Sequence, residues 1–197
     1  RLRTLPAAVA PVLIGVALAI GAEQFHLLAA ASALIGALII QIGTNFANDY
    51  FDFVKGTDND SRIGPPRATQ AGLVAPKTMK RAFILTFASL FPFALYLTFR
   101  GGWPLAVIGV TSVISGILYT GGPKPLGYLG LGDLFVLVYF GPVAVWGTYF
   151  VQSQSHSWIP IVVGLGPGLK LLKLLEASRW LIHFVLKKCK AIQEFQI

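Results

Sequence analysis

LLAAASALIGALIIQIGTNFANDYFDFVKGTDND, residues 27–60, changes character half-way along. From Leu27 to Asn48 it is a nearly unbroken apolar run, long enough for the roughly 20 residues that a membrane-spanning helix needs. From Asn45 onward polar groups take over at a fixed spacing. Asn45, Asn48, Asp49 and Asp52 stand at i, i+3, i+4 and i+7, so on a helix they share one face. Ionisable groups at the edge of a bilayer are costly and ordinarily face a polar cavity inside a bundle. The stretch therefore predicts a spanning helix that ends in a functional rim.

Outward from this segment the same apolar pattern recurs. Runs near Leu5–Ala22, Met79–Phe99, Gly102–Thr120 and Leu131–Gln152 complete a set of five, and a sixth beginning at Trp158 is interrupted by Lys170 and Lys173. Composition agrees, since 55% of the 197 residues are hydrophobic and 12% charged, against roughly a quarter charged in soluble domains. The fold class is thus all-α, an integral membrane helical bundle of five to six spans. Leu5–Ala22 leads straight into further membrane-like sequence and reads as a span, not a cleaved leader. The chain starts at Arg1, its only methionine is Met79, and the natural start is expected to lie upstream. Cys189 is the single cysteine, which excludes an internal disulfide framework.

Net charge is +8, but the basic residues sit at the ends of apolar runs, where topology and not nucleic acid explains them. Lys55, Arg62, Arg67, Lys77, Lys80 and Arg81 follow the second run, and six Lys and Arg follow Leu169. The connections near Glu23 and Ser155 carry none. The positive-inside rule then predicts a cytoplasmic amino terminus and acidic loop. His26, His156 and His183 are scattered, so no metal-ligand spacing or nucleophilic triad is offered.

Four of the eight acids, Asp49, Asp52, Asp58 and Asp60, fall within twelve residues. Two carboxylates with amide oxygens on one helix face are hard donors of the kind Mg²⁺ takes alongside substrate phosphates and waters. Asn45, Asp49 and Asp52 are the candidate metal ligands. Asn48, Lys55, Arg62 and Arg67 are candidate ligands for diphosphate, arginine in bidentate fashion. Asp58 and Asp60 read equally well as part of a solvated mixed-charge loop. Asn59-Asp60-Ser61 fits a glycosylation sequon, which a cytoplasmic loop would not use.

NFANDYFDFVKGTDNDSRIGPPRATQAGLV, together with TLPAAVAPVLIG and GLGDLFVLVYFGPVAVWGTYFVQ, resembles the UbiA superfamily of membrane prenyltransferases, in particular the branch that prenylates 1,4-dihydroxy-2-naphthoate in menaquinone and phylloquinone synthesis. The resemblance covers residues 1–168. It implies an all-α bundle around a central cavity, with about nine spans, of which this chain holds five to six, and a second aspartate motif in the later half. It implies Mg²⁺ as cofactor, and an isoprenoid diphosphate and an aromatic acid as substrates in a membrane of plasma, inner or thylakoid type. Asp49, Asp52, Tyr119 and Lys124 become candidate catalytic residues, although by spacing alone Lys124 is an ordinary topology-setting charge. Phe46, Tyr50, Phe51, Phe53 and Tyr119 could stabilise an allyl cation through their faces or serve only to pack the bundle. The alternative reading is a non-catalytic, truncated relative that binds isoprenoid lipid or quinone, or acts as a membrane partner.

Residues 169–197, LKLLKLLEASRWLIHFVLKKCKAIQEFQI, do not align with that family. Charged residues from Lys170 to Glu194 recur every three or four positions, the pattern of a basic amphipathic helix. Such a helix lies along a membrane surface or against a partner, and a plain cytosolic terminal helix fits equally.

Overall fold

The computed structural model describes residues 1–57, 67–171 and 173. Every regular element among them is helical: α1 (Leu5–Gly21), α2 (Leu27–Val54), α3 (Pro76–Ser89), α4 (Phe91–Gly101), α5 (Trp103–Leu118), α6 (Gly132–Val138), α7 (Ala144–Ser153) and α8 (Ile159–Leu171). Among the described residues four spans are long and apolar enough to cross a membrane: Leu2–Gly21, Leu27–Val54, Pro76–Gly101 and Gly132–Ser153. The fourth expected span contracts to α5, which at 16 residues covers about 24 Å. The sixth run forms α8, which continues past Gly168 to Leu171 without a break. Arg62, Asp58, Asp60 and most of the basic tail lie outside the described residues.

Proline starts these helices. Pro6, Pro76, Pro92 and Pro104 each stand in a first turn, where the missing N–H is one the helix would leave unbonded anyway. Pro92 also divides the third span into α3 and α4. α2 has no such proline; the His26 Nδ1 accepts the Ala29 N–H at 3.3 Å and caps it instead. The last long span bends at a π-helical turn over Tyr139–Val143, where Gly141 leaves helical geometry (φ −120°, ψ −112°) just before Pro142.

The inside of the bundle is built from small residues and the outside from large ones. Ala8, Ala19, Ala29 and Ala47 are buried, while Leu13, Ile20, Leu85, Phe99 and Val110 are exposed. This suits association in lipid, where tight backbone approach, not water exclusion, holds helices together. α2 is central and packs on α1, α3 and α5, and α1 also packs on α7. Glycine sets the close approaches. A Cβ at Gly43 would fall 2.7 Å from the Phe87 ring of α3, and one at Gly15 would fall 2.7 Å from Thr148 Cβ of α7. A Cβ at Gly164 would come 2.7 Å from Pro142 Cα, which seats α8 in the π-turn.

One rim is closed by Arg100. Its Nε and Nη2 donate to the Val151 and Gln152 carbonyls at the end of α7 (2.8 and 3.2 Å), and Gln154 Nε2 donates back to the Arg100 carbonyl. A cation on carbonyls that have no helical partner is a favourable C-terminal cap. At the same rim the Gln152 side chain accepts the His26 N–H at 2.9 Å. The opposite rim carries the acidic residues.

Candidate functional site

α2 does not stop where its apolar run ends; it continues through Asn48, Asp49 and Asp52 to Val54. Polar side chains this dense stay in a helix because tertiary partners satisfy each of them. Asn45 Nδ2 donates to Thr4 Oγ1 at 2.9 Å, fastening α2 to the start of α1. Asn48 Oδ1 accepts the Thr120 hydroxyl at 2.8 Å, a buried bond to the end of α5. The two carboxylates face the segment that returns toward α3. Asp49 accepts the Ala68 and Thr69 N–H groups, one on each oxygen, both at 3.1 Å. Asp52 forms a salt bridge with Arg67, both side chains being 8% exposed, and accepts the Tyr128 hydroxyl at 2.8 Å.

The rim thus joins four of the sequence-predicted residues, Asn45, Asn48, Asp49 and Asp52, with Arg67 directly against them. Lys55 is nearby but engaged differently. Its ammonium donates to the Thr120 and Gly122 carbonyls (2.6 and 2.7 Å) and lies 5.7 Å from the centre of the Tyr128 ring. Lys55 therefore clamps the loop that follows α5, in which Gly122 takes a positive φ of 75°. Lys124, in the same loop, is exposed. Among the described residues no three His, Cys, Asp or Glu side chains converge as a metal cluster.

Beneath the rim lies a cavity of about 430 Å³. Its walls are mainly apolar and come from α1, α2, α4, α5 and the span bent at the π-turn, with Asn45, Asn48, Arg3 and Tyr119 among its polar lining. Tyr119 is packed against glycines: a Cβ at Gly132 would fall 3.0 Å from its hydroxyl, and one at Gly127 would fall 3.4 Å from its ring. Of the aromatic residues singled out in the sequence, only Tyr119 lines this cavity. Tyr50 and Phe51 instead pack with Phe83 of α3, with ring centres 5.2 to 5.8 Å apart, and Phe53 is exposed.

Several residues at the site were not anticipated. Phe135 and Tyr139 stack with centres 5.9 Å apart and line the cavity; their i, i+4 spacing was the available signal. Tyr128 bridges Asp52 and Thr57 (2.8 and 3.1 Å). Burial raises its pKa above the ordinary phenol value; the neighbouring Asp52 carboxylate adds to the rise, and Thr57 opposes it. Nothing in the sequence links Tyr128 to residues more than seventy positions earlier.

Known proteins resemble this chain in sequence. The family model for "UbiA prenyltransferase family" matches residues 8–170. The chain is 42% identical over 169 residues to a 1,4-dihydroxy-2-naphthoate octaprenyltransferase of Escherichia coli, covering 83% of this chain and 54% of that protein. It is 37% identical to the protein of the same name in Mycobacterium tuberculosis, over 90% of this chain and 61% of the relative. A 2-carboxy-1,4-naphthoquinone phytyltransferase of Synechocystis is 32% identical over 88% of this chain and 56% of its own length. The chain spans a little over half the length of these relatives. By the extent of the family match, which takes in most of the bundle, the acidic residues of α2 and most of the cavity lining, this chain belongs to the UbiA prenyltransferase family.

Proposed function

We propose that the chain carries the first half-site of a Mg²⁺-dependent prenyltransferase, which moves a prenyl group from an isoprenoid diphosphate to 1,4-dihydroxy-2-naphthoate in quinone synthesis. The observation that carries this reading is the stacking of a paired-carboxylate rim directly over an apolar cavity. A substrate with a charged diphosphate head and a hydrocarbon tail has the same polarity profile. The names of the relatives add the aromatic acceptor.

The rim suits a hard divalent ion. Asn45 uses its Nδ2 on Thr4, which leaves its carbonyl oxygen as a donor. Each Asp49 oxygen accepts one N–H and keeps a further lone pair. Thr69 is buried, and its hydroxyl has no hydrogen-bond partner among the described residues; a diphosphate oxygen would satisfy it. Asn45, Asp49 and Asp52 would hold the ion, which when bound neutralises charge developing on the leaving diphosphate. Arg67 stands ready at the same place to leave Asp52 for a phosphate oxygen, and Tyr119 lines the wall below.

The chemistry is electrophilic alkylation. The allylic C–O bond breaks with its electron pair going to the diphosphate. The electron-rich ring carbon attacks the resulting allyl cation, and the ring carboxylate departs as CO₂. The apolar walls, with Phe135 and Tyr139, exclude water from the cation and offer it π faces. The amino terminus and the acidic rim face the cytoplasm, as the distribution of Lys and Arg supports.

The test is Mg²⁺-dependent transfer from a labelled isoprenoid diphosphate to 1,4-dihydroxy-2-naphthoate by the purified chain in detergent. Product that requires Mg²⁺ and disappears in Asp49→Ala is the expected result. A folded chain that yields no product, while a full-length relative does so alongside, refutes the proposal and favours a lipid- or quinone-binding role.

A further inference from the structure

α2 presents a second polar patch, well below the rim. Gln41 lies midway along the helix (Leu27–Val54) and is 8% exposed, yet it lines the cavity. It continues the polar stripe one turn toward the bilayer centre: Gln41, Thr44, Asn45 and Asn48 follow helical spacing. Asn45 and Asn48 are bonded to Thr4 and Thr120. The Gln41 carboxamide makes no hydrogen bond among the described residues. Facing into the same cavity are Ser112 and Ser115 of α5 and Thr148 of α7.

A primary amide in the middle of a membrane protein is costly unless something pairs with it. An isoprenoid tail has no group that can do so, and at the rim Arg67, with an ion held by Asp49 and Asp52, would serve the diphosphate without it. Among the described residues the lining at this depth is neutral, with amide and hydroxyl groups but no cation or anion. That selects a ligand with uncharged oxygen substituents on an otherwise apolar body. It offers no partner to a carboxylate or a phosphate, so the carboxylate of an aromatic acid would point away from this depth, toward the rim, where Arg3 lines the cavity.

We infer that Gln41 is a specificity-determining residue that reads the ring oxygens of the aromatic acceptor, holding a dihydroxylated bicyclic ring in the middle of the cavity with Ser112 and Ser115 opposite. The inference rests on the proposed acceptor. It adds that recognition of the ring is separate from recognition of diphosphate, one buried and neutral, the other charged and at the rim.

The experiment measures equilibrium binding to the purified full chain in detergent, under anaerobic conditions, of two ligands: 1,4-dihydroxy-2-naphthoate and 2-naphthoate, which lacks both hydroxyls. The variants are Gln41→Met, near in size, and Gln41→Leu; helicity and binding of geranyl diphosphate serve as controls. Wild type should prefer the dihydroxylated ligand by about tenfold, the worth of one neutral hydrogen bond. Either variant should lose that preference while its affinity for geranyl diphosphate stays within about twofold of wild type. A preference that survives in Gln41→Met, including one in which both naphthoates weaken equally, overturns the inference and leaves the proposed reaction standing. A wild-type chain that binds neither naphthoate overturns both.

Discussion

Replacing Asp52 with alanine tests whether the rim is held by a buried ion pair. The Asp52 and Arg67 side chains are each 8% exposed. Removing the carboxylate takes the Asp52 partner from a buried guanidinium, which destabilises by about 3–5 kcal/mol. The Tyr128 hydroxyl also loses one of its two acceptors, but Thr57 remains and Tyr128 is 53% exposed, so the loss costs little. For a chain of this size the loss corresponds to a fall of roughly 6–20 °C in Tm. Asp49→Ala frees only two partly buried N–H groups and should cost about 1–3 kcal/mol. Titrating the folded chain out of mixed micelles with sodium dodecyl sulfate, followed by tryptophan fluorescence, would rank the variants. The double variant Asp52→Leu/Arg67→Met removes both charges and should recover at least half the loss, because a buried pair replaced whole is close to neutral. A double variant no more stable than Asp52→Ala would refute the reasoning, since the buried charge deprived of Asp52 would then not be the source.

Three further outcomes are expected. Gly132→Ala places a Cβ 3.0 Å from the Tyr119 hydroxyl and should displace that ring, lowering prenyl transfer about tenfold while costing only the roughly 1–3 kcal/mol of an overpacked site; unchanged turnover would argue against a role for Tyr119. Lys55→Met releases the Thr120 and Gly122 carbonyls, so amide hydrogen exchange over residues 119–131 should speed up by about tenfold or more, and Lys55→Arg should restore most of the protection. The raised pKa of Tyr128, set first by burial, means the folded state holds the phenolic proton more tightly than the unfolded one. Its stabilisation is therefore complete below pH 10 and is lost as pH climbs through the higher folded value. The 295 nm difference between wild type and Tyr128→Phe should titrate above pH 10, and a midpoint at or below 10 would contradict it.

Much of the bundle was legible because lipid imposes a coarse rule. Apolar length alone located Leu5–Ala22 and Leu131–Gln152 to within a few residues of Leu2–Gly21 and Gly132–Ser153. The shared face of Asn45, Asn48, Asp49 and Asp52 was also legible, since it depends only on helical spacing. What each of those groups bonds to was not. Asp49 holds backbone N–H groups some twenty positions on, and no side-chain pattern advertises a backbone donor. Lys55 has the charge expected of a phosphate ligand, yet the same charge caps the carbonyls at the end of α5. That choice is decided by how α2 crosses α5, through Gly116 against Thr44, which local sequence does not encode. Gln41 was hidden for a different reason: one polar residue in an apolar run does not disturb the reading of a span.

The length of α2 has a consequence for where the protein can work. At 28 residues it measures about 42 Å, roughly 12 Å more than the hydrocarbon layer of an ordinary bilayer. The surplus is about eight residues, close to the distance from Ala47 to Val54, and those residues carry Asn48, Asp49 and Asp52. If the helix starts at one face of the hydrocarbon, its carboxylates stand among the lipid headgroups of the other. That is the level at which the proposed lipid-borne diphosphate would diffuse, so its encounter with the rim would be a search in two dimensions and not three. A helix matched in this way is also a ruler. Bilayers thickened by longer acyl chains would draw the acidic turn toward hydrocarbon and force tilt or local thinning, making membrane thickness itself a variable that sets how readily the site meets its substrate.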